Sequence, residues 1–155
     1  MVEILVSMVV LSIGLLGLAR LETLSTRMNQ SAYFRTQASI FSQDMIARMR
    51  ANQPGVENAD YNGLPDPQRV ANCLTTTGCS STDLANNDAF DWNLALAATL
   101  PSGQGTVCVD STPEDGTNSA ATGCDGIGSI AAVKVWWLDD RTGSGLLRFS
   151  TSFQP

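Results

Sequence analysis

The sequence predicts an α+β protein: one long N-terminal α-helix packed on a small C-terminal antiparallel sheet, fastened by disulfides. Three observations carry this. Helical periodicity runs unbroken by proline from the first residues to Pro54. Strand-like alternation returns only in the last fifty residues, and Cys73, Cys79, Cys108 and Cys124 form an even set in the loop-rich part of the chain after the helix.

The helix opens on an apolar run. From Ile4 to Ala19 there is no charge, only Ser7 and Ser12 are polar, and Glu3 stands at its head. At ~1.5 Å per residue this run reaches about 24 Å, a little short of a ~30 Å hydrocarbon core. A secretory signal would carry basic residues at its head and a small-residue cleavage site at its end. Here Glu3 occupies the head, and Ala19 leads straight into Arg20-Leu21-Glu22. A core helix apolar on every face needs a large protein around it, and this chain has 155 residues. The run therefore reads as a transmembrane segment, residues 1–19. Gly14 and Gly17 cost helix stability, about 1 kcal/mol each against alanine. With Ser7 they form a small-residue face that lets helices approach closely.

Residues 20–52 continue the helix as an amphipathic rod. Leu21, Leu24, Met28, Ser31, Arg35, Ala38, Phe41, Met45 and Met49 recur at spacings of three and four, with Phe34 and Ile46 beside them. Gln53-Pro54-Gly55 stops it, because a residue before proline avoids the α region. One helix from about 2 to 52 is roughly 75 Å long. A filament subunit uses such a rod; a small globule does not.

Residues 53–155 form the head. The polar stretch 51–87 reads as irregular loop. A second helix spans Phe90–Leu100, capped by Asp88 or Asp91, with either Phe90, Leu94, Ala97 and Ala98 or Trp92 and Leu96 facing inward. Strands follow at 105–110, 130–139 and 146–153. In the second, Ala131, Val133, Val135 and Trp137 share one face while Lys134 and Trp136 occupy the other. Asp139 to Gly145 turns the chain back, and Leu147, Phe149, Thr151 and Phe153 lie on one face of the last strand. The sheet's apolar face is expected to pack on the helix between Ala38 and Met49.

The four cysteines allow three pairings, of which Cys73–Cys79 with Cys108–Cys124 closes the shortest loops. Two disulfides imply an oxidising compartment. Zinc competes with this reading, but there is no C-x-x-C spacing and no histidine. Arg20 and Arg27 after the apolar run favour a cytoplasmic C-terminal side; the cysteines favour export and take precedence. A net charge of −6 disfavours a general phosphate-backbone binder, so no specific nucleic acid is expected. The missing histidine removes the commonest general base, and no aspartate sits in an acid/base motif. No catalytic residue, cofactor or metal is assigned. Asp139 and Asp140 at the hairpin tip read as a solvated turn rather than a calcium site.

Val2-Glu3-Ile4-Leu5-Val6, followed by Val9-Val10-Leu11-Ser12-Ile13-Gly14-Leu15-Leu16-Gly17-Leu18-Ala19, resembles the N-terminal segment of type IV pilins. The likeness is closest to the minor pilins called type IV pilus modification proteins, which carry a prepilin-type N-terminal methylation motif. It is specific over about the first fifty residues. Beyond them only the layout is similar, including the second helix and the exit into Gly105-Thr106-Val107-Cys108-Val109. The family's leader glycine and methylated phenylalanine are absent, which places Met1 inside the motif. The resemblance implies a type IV pilin-like fold and a non-enzymatic minor subunit concerned with pilus assembly or initiation, with adhesion and motility as associated roles. It implies a head in the periplasm, a helix in the bacterial inner membrane before assembly, and an extracellular pilus, or fimbrium, afterwards. The implied partners are major and minor pilins, prepilin peptidase and the pilus assembly machinery. Glu3 matches the family's glutamate, which neutralises the N-terminal amine of a neighbouring subunit. A minor pseudopilin of a type II secretion system shares this helix and is the alternative; a membrane-anchored periplasmic enzyme ranks below both.

Overall fold

The computed structural model describes residues 1–64, 66–139 and 145–154. A single helix, α1, spans Val2–Ala51. The chain forms two compact units, Met1–Phe34 and Arg35–Pro155. In the second unit, α1 from Arg35 onward is followed by α2 (Gln53–Glu57), a 3-10 turn (Ala71–Leu74) and α3 (Ser81–Thr99). Strands β1 (Gln104–Val109), β2 (Ala131–Leu138) and β3 (Leu146–Phe153) complete it as an antiparallel sheet in the order β1-β2-β3.

The register sets the two faces. Val107 pairs with Val133 and Val133 with Thr151, while Thr106 pairs with Lys134 and Lys134 with Ser150. Gly105, Val107, Ala131, Val133, Val135 and Trp137 therefore share a face with Leu147, Phe149 and Phe153. This face meets the helices. Met49 of α1 borders Val107, Cys108 and Ala131, and Met45 lies beside Trp92 and Val107. Trp92 is buried, its indole N–H donates to the Phe41 carbonyl at 2.8 Å, and its ring leaves no room for a Cβ at Gly105. The expected helix–sheet packing is present, with Ala38, Met45, Ile46 and Met49 buried on α1. Ser42 joins them, its hydroxyl satisfied by the Ala38 carbonyl at 2.8 Å. Arg35, counted in the stripe, is exposed.

Several expectations need correction. The stretch 51–87 is not a plain loop, since it holds α2, the 3-10 turn and the start of α3. Neither Asp88 nor Asp91 caps α3. Ser80 does, accepting from the Asp83 N–H at 3.1 Å. The helix starts nine residues early, at Ser81 rather than Phe90, because Ser80-x-x-Asp83 offers both a cap and a first-turn acid. Trp92 and Leu96 face inward, while Leu94, Ala97 and Ala98 are exposed. Of the hairpin between β2 and β3, residues 140–144, including Asp140, lie outside the described residues; Asp139 is buried.

The sheet's second face is covered too. Lys134 and Trp136, which share this face, are fully buried. The covering segment runs from Asp110 to Ile130 and is closed by the Cys108–Cys124 disulfide; Cys73 pairs with Cys79. Arg148 on β3 donates to the Gly116 carbonyl at 2.7 Å, and Ser119 donates to the Gln104 amide oxygen from both its N–H (2.8 Å) and its hydroxyl (2.7 Å).

A polar clasp joins the end of α1 to α3. The Tyr61 hydroxyl donates to Asp88 at 2.8 Å and accepts from Asn52 Nδ2 at 3.1 Å. Arg48 reaches the other Asp88 oxygen at 3.3 Å. Asn52 also donates to the Ser81 carbonyl at 2.8 Å and accepts from the Gly55 N–H at 3.3 Å. A Cβ at Gly55 would stand 2.5 Å from Asn52 Nδ2, so the close approach requires glycine.

Two predictions follow from this packing. Cys108→Ser with Cys124→Ser is expected to lower unfolding free energy by about 3 kcal/mol, measured by urea denaturation, because a loop of about fifteen residues is released. Burial, with the Asp88 carboxylate alongside, raises the Tyr61 pKa well above the usual phenol value. Its folded pKa exceeds its unfolded one, so its contribution is complete below about pH 10 and fades as pH rises beyond. Tyr61→Phe is expected to cost about 1–3 kcal/mol at neutral pH by leaving Asp88 short of a donor. It is also expected to flatten the alkaline loss of Tm.

Candidate assembly surface

The first unit is a helix whose side chains face outward. Every residue from Met1 to Gln30 is exposed. The sector includes Ile4, Leu5, Val9, Leu11, Leu16 and Leu18, each more than half exposed. The helix is long and apolar enough to cross a membrane, and none of its most apolar eighteen-residue window is buried. A contiguous apolar cylinder of this size marks a surface that lipid or partner chains cover.

Its polar groups are reconciled with such a setting. The Ser7 hydroxyl donates to the Glu3 carbonyl at 2.7 Å, and Ser12 donates to the Val9 carbonyl at 2.8 Å. Hydroxyls bonded back to the preceding turn leave no unpaired donor. Thr23 and Thr26 repeat the pattern on the Ala19 and Glu22 carbonyls at 2.9 and 3.0 Å. At ~100° per residue, Ser7, Gly14 and Gly17 fall within a sector of about 80°. Nothing lies within 4 Å of the Cβ position at either glycine.

Glu3 lies in the first turn of α1, exposed, where a carboxylate complements the helix dipole. No ion pair among the described residues involves it. Thus Glu3, Ser7, Gly14 and Gly17 share one exposed helix, while the four cysteines pair within the second unit and serve its stability.

Sequence reasoning missed the charged cluster beneath the covering loop. Lys134 and Asp110 are fully buried, and Lys134 Nζ contacts Asp110 Oδ2 and, at 2.8 Å, Asp115 Oδ1. The Lys134 hydrogen bond, with one from Thr112, holds the Asp115 carboxyl below the usual carboxylate range. The Ser111 hydroxyl does the same to Asp125. One signal was present: Lys134 interrupts an otherwise apolar strand, Ala131 to Leu138. Cys108, Asp110 and Cys124 also lie close enough to ligate a metal, but the two sulfurs are bonded to each other and offer no thiolate.

A groove of about 700 Å³ runs between α3, β1 and residues 119–124. Leu64, Pro67, Phe90 and Leu94 line one side, and Asp66 is its one ionisable side chain among the described residues. It holds no acid/base pair. Comparison with protein-family models, with curated proteins and with solved structures gives no match.

The apolar surface gives a direct expectation. The full chain should insert into liposomes, and Leu11→Arg should weaken insertion strongly. A cation at a helix centre costs about 2.5–3.5 kcal/mol on insertion scales, readable as loss of the carbonate-resistant fraction.

Proposed function

We propose that the chain is a minor pilin, a non-enzymatic subunit of a type IV pilus. One observation carries the reading: a single helix begins as a fully exposed apolar cylinder headed by Glu3 and continues without a break into the stripe that covers a disulfide-bonded sheet. A plain membrane anchor has no need of an unbroken fifty-residue helix. A filament core does, because stacked helices bury the same surface that lipid covers before assembly.

In this reading the inner membrane stores the subunit with its head in the periplasm, where the two disulfides form. Extraction exchanges lipid for the helices of other pilins. The small face of Ser7, Gly14 and Gly17 permits close helix approach, in the way small residues do in membranes. Glu3, too costly to bury alone in the filament core, meets the N-terminal amine of a neighbour there. Prepilin peptidase and the assembly machinery are the remaining partners, and tip initiation or adhesion is the associated role. The pseudopilin reading shares the helix and differs in the system that it serves.

The test compares wild type with Glu3→Ala in the native host. The wild type is expected in the sheared filament fraction, and the variant to fall there by tenfold or more with its membrane level unchanged. Equal amounts of both proteins in the membrane, with neither in filaments, would overturn the reading. Loss of secretion with intact pili would redirect it to the pseudopilin.

A further inference from the structure

The ion pair between Lys134 and Asp110 has no hydrogen bond across it. The amine has three protons, and three acceptors take them: Asp115 Oδ1 at 2.8 Å, the Thr122 carbonyl at 2.9 Å and the Asp115 carbonyl at 3.2 Å. None is left for Asp110. Its Oδ2 lies against Lys134 Nζ as an ion pair yet accepts no hydrogen bond, in a site from which water is excluded. A buried carboxylate oxygen held so, unsatisfied beside an amine, is costly as an ion.

The same atoms are laid out for a condensation. Asp110 Oδ1 accepts the Thr112 N–H at 3.0 Å, a donor placed where charge develops when a carboxyl carbon is attacked. The Thr112 hydroxyl stands 3.4 Å from Asp110 Oδ1 and 3.0 Å from Asp115 Oδ2, bridging the two acids. Asp115 touches Nζ through its other oxygen and, unlike the other two side chains, is about half exposed. It is thus placed to take a proton from Nζ and deliver it to a leaving oxygen. Close packing fixes the arrangement: a Cβ at Gly123 would stand 2.1 Å from Asp115 Oδ1, and one at Gly116 would stand 2.0 Å from the Thr122 carbonyl oxygen.

We propose that Lys134 and Asp110 form an intramolecular isopeptide bond, with Asp115 as the proton-transferring catalytic residue. Nζ attacks Asp110 Cγ, the N–C bond forms, and the bond from Cγ to Oδ2 breaks. Two of the ammonium protons leave with that oxygen as one water, and Asp115 ends in the state in which it began. One positive and one negative charge disappear together, and no oxidant or activated donor is required. Holding the reactants in place supplies an effective concentration on the order of 10⁵–10⁸ M. The product amide keeps the Thr112 N–H on its oxygen and replaces a buried ion pair by a neutral group. It ties the end of β1 to the middle of β2 beneath the loop that the Cys108–Cys124 disulfide already closes. The inference is independent of what the first unit assembles with.

Intact-mass measurement on the denatured full-length protein decides it. The expected mass lies about 18 Da, one water, below that of the chain with two disulfides, and trypsin should fail to cut after Lys134. Lys134→Met, Asp110→Ala and Asp115→Ala are each expected to restore the full mass. A wild-type mass with no water loss and normal cleavage after Lys134 would overturn the proposal. So would a loss that persists in Lys134→Met, which would come from succinimide formation at Asp115-Gly116 or Asp125-Gly126.

Discussion

Everything in the head is arranged around the burial of β2. It is the central strand of a three-stranded sheet, and seven of its eight residues are buried. A strand buried on both sides needs a cover on each face. The hydrophobic cover is α1 with α3, where Met45, Met49, Trp92 and Leu96 meet the Val133 face. The other is a loop of small and polar residues that cannot form an apolar layer of its own. It is held by a disulfide, by Arg148 and Gln104, and by the group at the centre of the strand, Lys134. The lysine is the cost of covering a sheet with a polar loop, and the two aspartates answer it.

The first unit poses the opposite problem. Its residues carry the most apolar surface in the chain and bury almost none of it. Along residues 3–19 the two serine hydroxyls are satisfied by the preceding turn, so what remains outside there is hydrocarbon, two glycines and one carboxylate at the end; Arg20, Glu22 and Arg27 are exposed beyond it. Such a surface is stable only against lipid or other helices.

Long periodic elements were legible in the sequence because the period alone specifies them. The helix ends within a residue of its expected position, and β3 falls on its expected bounds, since proline and the glycine-rich turns punctuate both. The start of α3 was missed because Asn86, Asn87 and Asp88 hide its apolar spacing, although Ser80-x-x-Asp83 announced the cap. The buried cluster was illegible for a different reason. Alternation assigns Lys134 to a face but does not say whether that face is covered, and the covering loop has no periodicity from which its path could be read. The Tyr61–Asp88 clasp likewise joins residues 27 apart, a distance that local pattern does not bridge.

If the chain is the minor pilin proposed above, its exposed helix is covered by the helices of other pilins in a filament. The direct measurement is photo-crosslinking from position 11, with an amino-acid probe in place of Leu11, in filaments sheared from cells. The account predicts covalent capture of the N-terminal helix of another pilin, absent when the probe replaces a residue on the exposed side of α3 such as Leu94. Capture of lipid alone, with the chain confined to the membrane fraction, would contradict it.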